Sequence, residues 1–516
     1  MSSVRIAVEG CAHGELDAIY DAVRYAQDVE GKAIDLLICC GDFQAVRNEQ
    51  DLECMACPLK YRHMHDFFRY YSGERVAPVP TIFVGGNHEA SNYLQELPLG
   101  GWVAPNIYYL GRAGVVRFGG LRIAGLSGIY NGRHFRQGFY EQPPYDRDTM
   151  RSVYHVREFD CLRLAQLHRP VDVMVTHDWP GSITDYGNKE ELLRRKRFLR
   201  EDIERNNLGN PATMPLVHQL RPRLWFAAHL HVKFAALVPH PEETSADSST
   251  PPVHDATRFL SLDKCLPRKD FLQVLDVPCH AGEDAPRELC FDPEWLAIVR
   301  QSHLMQPLDR RCHSPSEFPM RPPTEEETEA VRERLDKAGV ARPYFVIPRD
   351  CPQTVRPFQC PPSFDPSGKS CGGGGGGGRG GRGGRGGRGG GHSGGGGSPW
   401  GYPGPRQDQP GLLGNPQTDR LLEWLDLPHR DTVPLRASAP APECAGTAAP
   451  AAAAPTNMSL ADRIRAEAAA QGMYDGGIPQ PPARETAEPP VGPRENVRGD
   501  ATEPVDDPNE MALDDL

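Results

Sequence analysis

Five short apolar runs in this chain each stop at a side chain able to bind a metal. Residues 4–8 run into Gly10-Cys11-Ala12-His13-Gly14, and residues 34–40 into Gly41-Asp42. Residues 81–84 lead to Gly85-Gly86-Asn87-His88-Glu89, residues 171–175 to Thr176-His177-Asp178, and residues 224–228 to His229-Leu230-His231. Runs of this length, rich in Val, Ile and Phe and closed by Gly or a polar residue, read as buried strands. Open α/β sheets build their sites at the carboxyl ends of strands. The five strand ends are therefore expected to be five walls of one pocket.

The candidate ligands are Cys11, His13, Asp42, Asn87, His177, His229 and His231. Seven donors exceed the coordination of one ordinary ion, whereas two divalent ions sharing a bridging carboxylate would use them. Asp42 is the one carboxylate in the set and so the natural bridge. The x-spacing of Cys11/His13 and His229/His231 lets residues i and i+2 of a loop leaving a strand turn toward one point. Paired ions about 3.5–4 Å apart suit in-line displacement at phosphorus.

Composition bounds the rest. The 516 residues suggest two or three domains, but 53 Gly and 51 Pro predict that part of the chain does not fold. No stretch is long and apolar enough for a membrane span. Met1-Ser2-Ser3-Val4 leads directly into a strand, so no secretory leader is expected. The 14 cysteines are scattered, with Cys39 and Cys40 inside an apolar run. That pattern suits reduced thiols inside a cell better than a disulfide framework. Net charge is −12, yet residues 101–200 hold 16 Lys+Arg against 10 Asp+Glu. The stretch from Arg484 to the end holds 3 basic and 10 acidic residues. The acidity lies partly in a tail, and the central segment has a basic bias suited to phosphates.

Residues 1–240 read as one α/β catalytic domain, with helices over 15–30, 157–168 and 190–205 and three short strands within 107–126. A polar, proline-flanked loop over 242–250 breaks the pattern. Residues 255–345 resume it as a smaller C-terminal domain, with strands near 257–263 and 271–275 and helices over 292–302 and 324–338. Thr324 and Glu327 form a capping box for the last of these. Residues 346–516 read as a mostly disordered tail. Its Gly-rich tract 372–397 carries Arg379, Arg382, Arg385 and Arg388 at intervals of three. Such a tract either contacts RNA without sequence preference or serves as a spacer. Residues 418–425 and 460–470 have weak helical spacing, as docking segments or transient helix. Cys54 and Cys57 lack a partner pair at zinc-ribbon spacing and read as non-metal. Arg194-Arg195-Lys196-Arg197 is either a nuclear signal or, as the better reading, one basic face of a helix.

The order C-x-H, G-D, G-N-H-E, T-H-D, H-x-H resembles the calcineurin-like metallophosphoesterase superfamily. Two departures mark a branch of it. Cys11 stands where most members have Asp, and Gly41-Asp42 continues as Phe43-Gln44-Ala45-Val46 with no second acidic residue. Both features resemble the RNA lariat debranching enzymes. So do the stretches that begin at Cys54-Met55-Ala56-Cys57, Ser127-Gly128-Ile129-Tyr130-Asn131, His177-Asp178-Trp179 and Thr257-Arg258-Phe259. The likeness covers roughly residues 4–345 and leaves out the Gly/Arg tract.

This resemblance implies a metallophosphoesterase β-sandwich flanked by helices, holding two divalent ions (Fe²⁺, Zn²⁺ or Mn²⁺). It places Cys11, His13, Asp42 and His231 on one ion, and Asp42, Asn87, His177 and His229 on the other. His88 would act on the leaving 2′-oxygen. The implied reaction is hydrolysis of the 2′-5′ phosphodiester at an intron-lariat branch point. The implied location is the nucleus, with branched lariat RNA and spliceosome-associated proteins as partners and no membrane. Residues 127–157 resemble the family's recognition loop. Here Tyr130, Phe135, Phe139, Tyr140, Tyr145 and Tyr154 interleave with Arg133, Arg136, Arg147, Arg151 and Arg157. Aromatic rings stack on unpaired bases and arginines hold phosphates. The candidate substrate contacts are Tyr130, Asn131, Arg133, His134, Phe135, Arg136 and Phe139.

Overall fold

The structure, a computed structural model, describes residues 3–240, 254–279, 285–349 and 409–429. The polar loop at 242–250, the Gly/Arg tract and the 460–470 patch lie outside them. The strands are β1 (Ser3–Glu9), β2 (Leu36–Cys39), β3 (Thr81–Phe83), β4 (Gly101–Ala104), β5 (Ile107–Tyr109), β6 (Ala113–Phe118) and β7 (Leu121–Leu126). They continue as β8 (Val173–Thr176), β9 (Leu224–Ala227), β10 (Phe234–Pro239), β11 (Ala256–Ser261), β12 (Leu272–Pro278) and β13 (Cys290–Phe291). One sheet has the order β12-β1-β2-β3-β5-β4, and the other β10-β11-β9-β8-β7-β6-β13.

The sheets form a sandwich because successive side chains on a strand point to opposite faces. Val4, Ile6 and Val8 face inward with Leu36, Ile38 and Ile82, sharing one core with Ile123, Val173, Val175 and Trp225 of the second sheet. Ala7, Leu37, Cys39 and Phe83 face outward and are covered by Leu16, Ile19, Tyr20 and Val23 of helix Leu16–Glu30. Burial on both faces explains why these strands read as continuous apolar runs rather than alternating ones.

The C-terminal segment completes both sheets. Strand β12 pairs antiparallel with β1, β11 pairs parallel with β9 and antiparallel with β10, and β13 pairs with β6. Its helix Pro293–Ser302 is capped by Asp292, which accepts from the Trp295 backbone N–H at 2.9 Å. The same carboxylate accepts from Arg117 at 2.7 Å and Arg122 at 2.9 Å, fixing the helix to β6 and β7. Helix Glu325–Lys337 carries the expected capping box on Thr324 and Glu327.

One helix differs from expectation. The predicted helix over 190–205 is broken into Lys189–Arg195 and Arg200–Glu204, with the chain turning at Lys196. Leu192, Leu199 and Ile203 all reach the core across this break. In the basic run, Arg194, Arg195 and Arg197 are exposed and Lys196 is buried. Arg194 and Arg195 both pair with Glu191. The weak patch at 418–425 is a docked helix, Pro416–Leu425, with Leu421, Leu422 and Leu425 buried. Among the described residues no helix is long and apolar enough to cross a membrane.

Candidate metal centre

All five loops leave the carboxyl ends of parallel strands, three in one sheet (β1, β2, β3) and two in the other (β8, β9). They meet at one end of the sandwich. Donor atoms of Cys11, His13, Asp42 and His231 lie within 4.8 Å of one another. His13 Nε2 and His231 Nε2 are 3.1 Å apart, a separation that suits two nitrogens each roughly 2.0–2.1 Å from one ion. On the other side of Asp42, His177 Nε2 is 3.3 Å from Asp42 Oδ1 and 3.2 Å from Asn87 Oδ1. The His229 ring lies 5.1 Å from that of His177. All seven sequence candidates are therefore brought together, with Asp42 between the two halves.

The turns that achieve this are tight. His13, Asp42, His229 and His231 all have left-handed φ, between 45° and 64°. Non-glycine residues adopt that region at a cost, and strained positions of this kind cluster at functional sites. Two glycines make the approach possible. A Cβ on Gly41 would lie 2.2 Å from His177 Nδ1, and one on Gly86 would lie 2.2 Å from Asp42 Oδ1.

The donors are prepared for a cation. His177 Nδ1 donates to the Cys40 carbonyl at 2.8 Å, which turns the lone pair of Nε2 toward Asp42 and Asn87. His229 Nδ1 is buried with no hydrogen-bond partner among the described residues. Cys11 Sγ accepts from the His229 backbone N–H at 3.2 Å. Burial pushes His13 and His229 down to about 3 and also lowers His231, so these rings stay neutral. Burial pushes the Asp42 carboxyl up, but His177, His88 and His13 outweigh it and hold the group well below the usual carboxylate range. Burial pushes the Cys11 thiol well up, reinforced by Asp42 and Glu9. Neutral imidazoles, one firm carboxylate and a thiol that ionises on binding form a donor set for divalent metal. The residues fit such ions.

His88 stands beside the cluster, its ring 5.3 Å from that of His13 and its backbone N–H donating to Asp42 Oδ1 at 2.8 Å. Burial lowers its pKa.

Three further residues were not singled out by sequence reasoning. The Glu89 carboxylate accepts backbone N–H groups from Phe43 (2.7 Å), Gln44 (2.9 Å) and Gly86 (2.9 Å), stitching the Asp42 loop to the Asn87 loop. Gln44, at the position without a second acidic residue, sets its amide 3.3 Å from His13 Nδ1. Lys264 comes from the C-terminal segment, is buried, and bridges Cys11 through its backbone. Its charge adds to burial in lowering His13, His88 and His231. The stretches Gly85-Gly86-Asn87-His88-Glu89 and Phe43-Gln44-Ala45-Val46 carried local signals for Glu89 and Gln44.

The recognition loop begins against this centre. Gly128 N–H donates to the Gly85 carbonyl at 2.8 Å, and Tyr130 N–H to Asp178 Oδ2 at 2.9 Å. Arg133 is exposed, and Tyr130, Asn131, His134 and Arg136 are partly exposed. Phe135 and Phe139 correct the expectation of base stacking. Phe135 is 7% exposed in the main core, and Phe139 is 6% exposed in a smaller core with Phe159, Leu162 and Phe318. The Arg112 guanidinium lies 3.6 Å over the Phe139 ring. Neither ring offers a free face, and both support the loop from beneath. Tyr145 and Arg157 are buried too, Arg157 paired with Glu141. Cys54 and Cys57 are buried free thiols that burial pushes up to about 12 and about 11.

The strand order, the strand-end cluster and its donors define a calcineurin-like phosphoesterase, and a sequence model of that family matches residues 4–233. A second model, for the lariat debranching enzyme C-terminal domain, matches residues 254–367. A lariat debranching enzyme of Arabidopsis thaliana is 50% identical over 334 residues, covering 65% of this chain and 76% of that protein. The Homo sapiens enzyme is 56% identical over 297 residues, covering 58% of this chain and 53% of that protein. The Danio rerio enzyme is 54% identical over 324 residues, covering 61% and 56%. The chain belongs to the lariat debranching enzyme family. The match spans about half the length of the vertebrate relatives.

Proposed function

We propose that this protein hydrolyses the 2′-5′ phosphodiester at the branch point of excised intron lariat RNA. The observation that carries the reading is the pair of donor sets sharing Asp42, with Cys11 in one of them, directly beside a loop bonded to Gly85 and Asp178. Cys11, His13, Asp42 and His231 would hold one ion, and Asp42, Asn87, His177 and His229 the other. Divalent ions held there would polarise the phosphate and lower the pKa of a water. The thiolate of Cys11 favours Zn²⁺ or Fe²⁺ at its site, with Mn²⁺ as the harder alternative.

Water adds to phosphorus and the P–O2′ bond breaks, leaving a free 2′-hydroxyl and a 5′-phosphate. His88 meets the leaving 2′-oxygen. Burial keeps its ring neutral in the free protein, and an anionic phosphodiester beside it raises its hold on a proton. Tyr130, Asn131, Arg133, His134 and Arg136 line the exposed side of the loop and contact the RNA around the branch. Phosphates either side of a branch are alike to the ions, so choosing the 2′-5′ linkage falls to positioning by this loop. The substrate places the protein in the nucleus, with spliceosome-associated proteins as partners.

The test is cleavage of an RNA carrying one 2′-5′ branch, beside the matching linear RNA, using protein stripped of metal and reloaded with Fe²⁺, Zn²⁺ or Mn²⁺. The expected result is loss of the branch alone, with a 5′-phosphate on the released strand. Equal cutting of linear RNA, or no cutting with any of the three ions, would overturn the reading.

A further inference from the structure

Residues 409–429 lie beyond both family matches, yet they pack on the catalytic body. Leu421 and Leu425 join the main core, and Trp424 meets Phe291 edge-on at 6.3 Å. The polar contacts are more specific. Gln417 brackets the main chain of Trp102: Trp102 N–H donates to its Oε1 and its Nε2 donates to the Trp102 carbonyl, both at 2.8 Å. Trp102 is in β4, the edge of its sheet, so one amide side chain stands in for a missing neighbouring strand.

Gln409 repeats the device on the recognition loop. Tyr145 N–H donates to Gln409 Oε1 at 2.6 Å, and Gln409 Nε2 donates to the Tyr145 carbonyl at 3.2 Å. The Tyr145 hydroxyl donates to Gln95, at the end of helix Ser91–Gln95, which follows directly on the Asn87 loop. Thr418 Oγ1 donates to the carbonyl of the next residue, Glu96, at 2.7 Å, and Asn415 hydrogen-bonds the Glu96 carboxylate. Glu96 in turn accepts from Arg47 at 3.0 Å, on the loop that leaves Asp42. At the far end, Arg300 donates to the Leu425 carbonyl at 3.0 Å and His303 to that of Pro428 at 2.8 Å.

We propose that residues 409–429 are a clasp that positions the recognition loop for branched RNA, with Gln409 as the positioning residue and Gln417 and the leucine face as its anchor. A short segment outside the catalytic domains thereby sets the geometry of a loop whose own sequence does not encode it. Gln95 of the helix behind His88 and the clasp both hold Tyr145, so releasing the clasp removes one of these two holds on the loop without touching a metal donor.

The enzymatic arm of the test rests on the function proposed above; the exchange arm does not. The full chain carries Gln409→Ala in one variant and Leu421→Asp with Leu425→Asp in another. Backbone amide exchange is followed at Tyr145 and Trp102. KM and kcat are measured on branched RNA, and turnover on a small unbranched nitrophenyl phosphodiester. Gln409→Ala should speed exchange at Tyr145 and raise KM about fivefold, the worth of one ordinary hydrogen bond, with kcat and the small ester unchanged. The leucine variant should do the same and also speed exchange at Trp102. Unchanged exchange at Tyr145 in both variants would overturn the clasp. So would faster exchange with unchanged KM, or a proportionate fall on both substrates. If the wild-type chain does not cleave branched RNA, the function reading fails and exchange alone decides the clasp.

Discussion

At the metal centre every candidate side chain turns toward the others, whereas in the recognition loop three of six aromatics, Phe135, Phe139 and Tyr145, turn inward. The difference lies in what fixes each side chain. A donor at a strand end is aimed by one or two backbone angles, such as the left-handed φ of His13 and His231. An aromatic in a long loop is aimed by whatever the loop packs on. Here that is Phe159 and Phe318 for Phe139, and Gln409 for the backbone of Tyr145. The centre should therefore fail by chemistry and the loop by packing or recognition, and substitutions can separate these.

The largest expected effect is at the centre. His88→Ala should cut turnover on branched RNA by roughly 10²–10⁴-fold, the range for general acid–base catalysis, while bound metal stays at the wild-type level. Loss of metal in that variant would make His88 a ligand and erase the distinction drawn between it and Asn87. Within the loop, Phe135→Ala or Phe139→Ala should destabilise the fold by about 3–5 kcal/mol, as buried Phe truncations do. Thermal unfolding checks this, and both the branched and the small substrate should be lost together. A stable Phe139→Ala that loses only branched RNA would return that ring to base stacking.

Tyr130→Ala should behave the other way, weakening branched RNA by about 1–3 kcal/mol, the worth of one stacked base, with melting and small-ester hydrolysis unchanged. Glu89→Gln sharpens the boundary of the centre. The carboxylate accepts three N–H groups from the two ligand loops, and an amide NH₂ would face one of those donors. Metal affinity should fall roughly 10–100-fold, as for other groups that orient ligands, measured by competition with a chelator.

The smallest effect is a proton count. Burial keeps His13, His229 and His231 neutral and holds the Cys11 thiol protonated, so loading stripped protein near pH 7 should release about one proton from Cys11. Cys11→Asp carries no such proton, should release about one fewer, and should shift preference from Zn²⁺ or Fe²⁺ toward Mn²⁺. Equal release by both proteins would mean the thiol does not bind.

The same contrast marks how much could be read from the chain. The strands that lead into the five motifs, the first helix and the convergence of the seven candidate donors were legible, because each is coded by a run or spacing within a few residues, whereas β4, β10 and β13 were not read. The break at Lys196 was not, since Leu192, Leu199 and Ile203 keep helical spacing across it and all reach the core. Nor was the placement of β11 between β9 and β10, or of β12 beside β1, which depends on partners far away in sequence. Lys264 lies in the resembling stretch that begins at Thr257, but its place at the centre is identified by the bridge that sets it against Cys11.

The claim at the centre of this account is that one region does the chemistry and the other chooses the bond. The ratio of branched-RNA to nitrophenyl-diester hydrolysis, measured in Tyr130→Ala with Arg133→Ala and in His88→Ala, tests it most directly. The account predicts that the loop variant lowers the ratio sharply with the small-ester rate intact, because the donors around Asp42 are untouched. A loop variant that loses both activities in equal proportion would contradict it.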